Sequence, residues 1–202
     1  MEFSIVIANF NYGRYIGRCV RSLLSQSIES TSFEVIVVDD ASEDDSLAVL
    51  DTFGRSLRVL ENEKNMGLAY TANMGIKSAR GRYIVRVDSD DYVHKDFLRN
   101  LQLGFEFFGR QSEAISTDYL RVTPEGEFLS YGDSVSHPIA CAIAFKMDAL
   151  EHLGFYNDSL RINEEVDLRQ RFELEKYRIR NLNIPLYRYV QHSKSLTSSV
   201  II

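Results

Sequence analysis

The chain has few cysteines, no long apolar run, no excess of positive charge and no glycine-rich phosphate fingerprint, and each shortage removes a class of protein. Its two cysteines, Cys19 and Cys141, stand far apart in 202 residues and form no CxxC or Cys/His spacing. Neither a disulfide framework nor a zinc site is indicated, and both are expected to be reduced core residues. No apolar run approaches the roughly 20 residues a membrane helix needs, and Phe3 to Ala8 reads as strand rather than as a charged leader. The expectation is a cytoplasmic protein, with peripheral contact at the inner membrane face open through Arg14, Arg18 and Arg21. With 23 basic against 29 acidic residues and a formal charge of −6, nucleic acid is excluded as the main partner. Neither GxGxxG nor GxxxxGK[ST] occurs, which removes the dinucleotide-binding and P-loop signatures. No Pro/Gly/Ser-rich linker divides the chain, so a single domain over 1–202 is expected.

What is present is alternation. Short β-branched runs at 3–8, 34–38, 57–61 and 82–87 are separated by helical periodicity at Ile16, Val20, Leu23 and Leu24, at 44–53, and at Leu68, Ala72, Ile76 and Ala79. That order predicts βαβ units and a mostly parallel sheet. Beyond a helix carrying Phe97, Leu101, Phe105 and Phe108, the pattern becomes mixed. Strands are expected on either side of Pro124-Glu-Gly126, at 140–146 and at 177–190, with helices at 148–153 and 164–175.

The most informative stretch is Arg82-Tyr-Ile-Val-Arg-Val-Asp88-Ser-Asp90-Asp91, an apolar run that ends in three carboxylates within four residues. Like charges this close repel one another unless a cation sits among them. Oxygen ligands without a Cys or His cluster suit Mg²⁺ or Mn²⁺, which takes its remaining ligands from substrate phosphates. Two further polar clusters follow strands: Asn9-Phe-Asn11-Tyr12 and Asp39-Asp40-Ala-Ser42. Ligands of open parallel sheets bind outside the carboxyl ends of the strands, so all three clusters are expected to share one crevice.

Together these segments resemble the family 2 glycosyltransferases of GT-A fold, over about Phe3 to Ser198. Ile5 to Tyr12 looks like the family's opening strand and loop, Val37 to Ser42 like its nucleotide-binding turn, and Asn65-Met-Gly67 through Asn73-Met-Gly75 like its central helix. Gly81 to Asp91 matches the DxD-type segment. Gly154 to Asp158 and Glu164-Glu165-Val-Asp167-Leu168 look like the acceptor-side loop and helix, and Tyr187-Arg188, His192 and Ser195 like the closing segment.

The resemblance implies an α/β GT-A-type nucleotide-sugar-binding fold, with a nucleotide-binding half over 1–92 and an acceptor-binding half over 93–202. It implies a metal-dependent, inverting transfer of one sugar from a nucleotide-diphosphate sugar, a UDP-sugar first, to a carbohydrate or lipid-linked acceptor hydroxyl. The nucleotide would meet Ala8, Asn9, Asn11, Asp39, Asp40, Asn65, Gly67, Asn73, Asp88 and Ser89, with Asp39 on the base and Asp88 on the ribose. Asp90 would ligate Mn²⁺ or Mg²⁺, with His192 as a further ligand or a donor to phosphate. Glu165 stands where the family has its Asp base, and Glu164 and Asp167 are the alternatives. No QxxRW-type segment follows, which points away from processive synthesis. Acceptor contacts are expected between Thr117 and His137, from Tyr119, Tyr131 and His137. Three alternatives stay open on the residues alone: a non-catalytic nucleotide- or carbohydrate-binding subunit, a nucleotidyltransferase, and a phosphatase of the haloacid dehalogenase type.

Overall fold

The structure is a computed structural model and describes residues 1–192, so Ser195 and Ser198 of the resemblance lie outside the described residues. Strands β1 (Phe3–Asn9), β2 (Phe33–Asp39), β3 (Arg58–Glu61) and β4 (Tyr83–Arg86) run parallel in the order β3-β2-β1-β4. Between them lie helices α1 (Gly13–Leu24), α2 (Ser46–Asp51) and α3 (Leu68–Ser78). Strands β1, β2 and β4 are covered on both faces, which is why their sequences are nearly unbroken apolar runs rather than alternating ones.

The second half is mixed, as expected. It contains β5 (Tyr92–Val93), α4 (Phe97–Phe108), β6 (Ala114–Val122), β7 (Phe128–Gly132), β8 (Ile143–Lys146), α5 (Met147–Leu153), α6 (Glu164–Leu174) and β9 (Ile179–Val190). Strand β8 is antiparallel to both β4 and β6, while β9 runs parallel to β6 and then pairs with β5. Two-residue β5 was not foreseen, because it is too short to show any periodicity. It brings Tyr92 opposite Arg188 and so carries β9 back to the acidic turn.

Two apolar layers sandwich the sheet. Ile16, Val20, Leu50, Phe97 and Leu101 pack on one face with Ile5, Val37 and Val85, and Ala72, Ile76, Leu150, Leu168 and Phe172 pack on the other with Val6 and Ile84. Gly75 permits the second layer to close: a Cβ there would stand 2.5 Å from Val6 Cγ1. The carboxyl ends of β1, β2 and β4 therefore open on one edge.

Candidate functional site

At that edge Asn9 and Asp39 are register partners on adjacent strands. Asp39 Oδ1 accepts from Asn9 Nδ2 at 2.8 Å and from Ser42 Oγ at 2.7 Å, and its Oδ2 accepts from Ser42 N at 2.8 Å. Asn11 N donates to Ser42 Oγ and Asn11 Oδ1 accepts from Glu43 N, which locks the two loops together. Both loops turn through left-handed residues, Asn11 at φ 59° and Ala41 at φ 60°. Buried Asn9 Oδ1 has no hydrogen-bond partner among the described residues, so an acceptor is left over in a polar pocket. Helix-capping accounts for none of this. Asp44 instead meets the starts of two helices, its oxygens accepting from Ser46 N of α2 and Gly13 N of α1, both at 2.9 Å.

Asp40 and Asn73, grouped above with the nucleotide contacts, spend their polar atoms inside the protein. Asp40 accepts from Asn62 Nδ2, Met66 N and Gly67 N at 2.7–2.9 Å and shapes the loop holding exposed Asn65. Gly67 in that loop has φ 93°, a conformation that favours glycine. Asn73 is buried and clamps the backbone of Tyr156, donating to its carbonyl at 2.8 Å and accepting from its N–H at 3.0 Å.

The turn after β4 gathers the carboxylates. Asp90 Oδ2 lies 2.9 Å from His192 Nε2, which brings together two residues 102 positions apart that the sequence pairs only through the resemblance. The His192 ring is stacked on Tyr15 with centroids 4.9 Å apart, and Tyr12 stands 5.9 Å away. Burial first, and the charge of Asp88 second, push the Asp90 carboxyl up to about 6. The carboxylate and imidazole set suits Mn²⁺ or Mg²⁺. Among the described residues no group of three or more His, Cys, Asp or Glu side chains could hold a metal alone, so an ion at Asp90 and His192 would take its remaining ligands from water or a bound phosphate.

Asp91 does different work. It is buried, and it accepts from Tyr187 Oη and Val190 N, both at 2.7 Å. Tyr187 Oη in turn accepts from Asp88 N at 3.2 Å, so β9 is tied to the acidic turn on both sides. Ser89 and Ala8 line the same edge, Ser89 buried and Ala8 partly so.

Across the cleft, the first turn of α6 carries Glu164, Glu165 and Asp167, where negative charge complements the helix N-terminus. The three separate cleanly. Glu164 is buried and bonded to Arg86 Nη1 at 2.8 Å. Asp167 is paired at 2.6 Å with Arg171, which also donates to the carbonyls of Leu153 and Phe155. Glu165 is half-buried and in no ion pair among the described residues. Burial and then the Glu164 charge raise its carboxyl above the usual range, while Arg86 draws it down.

Arg86 is the residue that sequence reasoning passed over. It sits 3% exposed at the carboxyl end of β4, with Nε 3.4 Å from Asp88 Oδ1 and its guanidinium 5.3 Å from the Tyr156 ring centre. The available signal was an arginine inside a run that otherwise reads as fully buried, since such a cation requires a carboxylate partner.

The acceptor-side expectations fare unevenly. Tyr119 is fully buried, accepting from Arg121 and donating to the His137 carbonyl, so it is core and offers no surface for stacking. Tyr131 is half-exposed and bonded to Asp118, and His137 is exposed. Arg18 lies over the Tyr92 ring at 4.5 Å and donates to the Pro124 carbonyl, which commits it to the fold. No helix among the described residues is long and apolar enough to cross a membrane.

Comparison with known proteins gives the same outline. A sequence model described as glycosyl transferase family 2 matches residues 4–121. Over 103 residues the chain is 36% identical to the poly(ribitol-phosphate) β-N-acetylglucosaminyltransferase TarS of Staphylococcus aureus, covering 50% of this chain and 18% of that one. A crystal structure of S. aureus TarS 1–349 in complex with UDP-GlcNAc superposes with a TM-score of 0.85 at 23% identity, covering 100% of this chain and 62% of that one. The mannosyltransferase PcManGT of Pyrobaculum calidifontis, in complex with GDP-Man and Mn²⁺, superposes with a TM-score of 0.77 at 17% identity, covering 98% of this chain and 59% of that one. These superpositions establish the fold as GT-A. The matched half of the chain thus spans less than a fifth of the TarS sequence.

Proposed function

The chain belongs to glycosyl transferase family 2, and from that membership we propose that it moves one sugar from a nucleotide-diphosphate sugar to an acceptor hydroxyl, by direct displacement with inversion. The observation that carries this is the meeting, on one sheet edge, of the Asn9–Asp39–Ser42 pocket, the Asp88–Asp90–His192 turn and, opposite them, Glu165. Residues 1–92 supply the nucleotide-binding half and residues 93–202 the acceptor-binding half, from which His192 reaches back to Asp90.

In this mechanism Asn9, Asn11 and Asp39 bind the nucleotide base, with the unpartnered Asn9 Oδ1 available as an acceptor. Asp40 holds the 62–67 loop that borders it, and Asp88, at the mouth of the cleft, takes the ribose. Asp90 and His192 would hold Mn²⁺ or Mg²⁺, which when bound would neutralise charge developing on the diphosphate leaving group. Glu165 accepts the proton of the attacking hydroxyl, because it alone of the three carboxylates in the first turn of α6 is neither buried in an ion pair nor paired on the helix surface. A UDP-sugar is the favoured donor and a glycan or polyol-phosphate chain the favoured acceptor, as the names of the relatives suggest.

A second reading, a binding subunit without turnover, is favoured by one feature: Glu in place of Asp at position 165. The test is release of UDP from UDP-GlcNAc and other UDP-sugars with Mn²⁺, over a panel of acceptors. Turnover lost in Asp90→Ala supports the transferase. Metal-dependent UDP binding with no turnover on any acceptor supports the binding subunit.

A further inference from the structure

Arg86 stands between the two halves of the site. Its side chain leaves the last residue of β4 on the face packed by α6 and touches both sides of the cleft, with Nη1 2.8 Å from Glu164 Oε1 and Nε 3.4 Å from Asp88 Oδ1. Glu164 is the first residue of α6, and Glu165 is the next. The guanidinium is packed against Tyr156, whose backbone is itself clamped by Asn73 of α3. The Nε proton is buried and has no hydrogen-bond partner among the described residues, so one donor remains to be satisfied on the side that faces Asp88. A buried cation held among carboxylates is a poor way to gain stability, since an apolar pair of the same volume is often equal or better. Its retention in the strand that leads to the donor carboxylates calls for another role.

We propose that Arg86 is a positioning residue that locks the start of α6 to the donor strand, fixing Glu165 and Asp88 relative to one another in a single charged bridge. The proposal rests on Glu165 as the base. Donor seating and base seating then become one event, because a shift of Asp88 pulls on the same guanidinium that anchors Glu164. The groups facing Glu165 are Glu164 and Arg169 on its own helix, and Arg86 and Asp88 on and after β4. Glu164 raises its proton affinity, and Arg86 lowers it.

The test uses two variants, with UDP release from UDP-GlcNAc in Mn²⁺ buffer and calorimetric UDP binding as readouts. In Arg86→Met/Glu164→Met the ion pair is replaced by apolar volume, and thermal unfolding is expected within a few degrees of the parent. If the bridge positions the site, this well-folded variant still loses at least ten-fold in kcat and several-fold in UDP affinity. Parental kcat and parental UDP affinity in the folded double variant would overturn the proposal. Glu164→Gln keeps an oxygen for Arg86 but removes the neighbouring negative charge, so the acid limb of the kcat profile moves to lower pH. A limb that stays in place also overturns it, and this milder variant decides alone if the double variant does not fold. Glu165→Gln separates the two levels. Persistence of the acid limb in that variant removes Glu165 as base, whereas loss of the limb there, with no effect of the Arg86 and Glu164 changes, removes only the bridge.

Discussion

A single methylene distinguishes Glu165, the proposed base, from the Asp that the family resemblance implies there, and it bears on the chemistry through environment as much as reach. Burial and the adjacent Glu164 hold its carboxyl above the ordinary Glu value of about 4.3. A base works unprotonated, so turnover is expected to fall as pH drops through that raised value, and the acid limb of kcat lies above the usual carboxylate range. Glu165→Gln should remove the limb and lower kcat by roughly 10²–10⁴, the range of one positioned acid–base group. Steady-state kinetics from pH 4 to 9 checks both, where this window is about the span over which carboxylates and histidine titrate. At this scale the sequence was legible where position follows from residue type after a strand, as for Asp39 and Asp90, which stand at the carboxyl edge of the sheet. It was silent where the answer depends on which way a side chain faces. Asp40 and Asn73 have the right composition and position for nucleotide contacts, yet Asp40 bonds Met66 N and Gly67 N, and Asn73 bonds the Tyr156 backbone. The partner of Arg86 could not be read because it lies 78 residues away.

Among elements, β9 and α3 carry the clearest consequences. Strand β9 reaches the acidic turn through Tyr187 and Val190, both bonded to Asp91. Tyr187→Phe removes one of the two bonds to a buried carboxyl and should cost about 1–3 kcal/mol, measured by urea unfolding. It also loosens Asp88 N, so weaker UDP binding is expected alongside. Gly75→Ala would force a Cβ to within 2.5 Å of Val6 Cγ1, and overpacking of this kind costs about 1–3 kcal/mol with little direct effect at the site. The parallel strands were readable because burial on both faces leaves unbroken apolar runs. The return of β9 was not, since β5 holds only two residues and the β6–β9 register is shifted between Ser116 and Tyr119, opposite left-handed Asn183.

For the molecule as a whole, donor and metal should act as one ligand. Among the described residues the proposed metal site offers Asp90 and His192, and on that proposal a diphosphate needs the ion to approach three carboxylates. UDP with Mn²⁺ should therefore raise the unfolding temperature much more than either alone, by the equivalent of about 2.7 kcal/mol at a hundred-fold excess over Kd. Asp90→Ala should abolish the difference while leaving the unliganded protein folded. The most direct measurement is anomalous scattering at the manganese edge from crystals grown with UDP and Mn²⁺. The predicted result is a manganese peak beside Asp90 Oδ2 and His192 Nε2, bridged to the diphosphate, with the base seated at Asn9 and Asp39. A nucleotide bound at that edge with no manganese peak at the acidic turn, or a peak at some other place, would contradict the account.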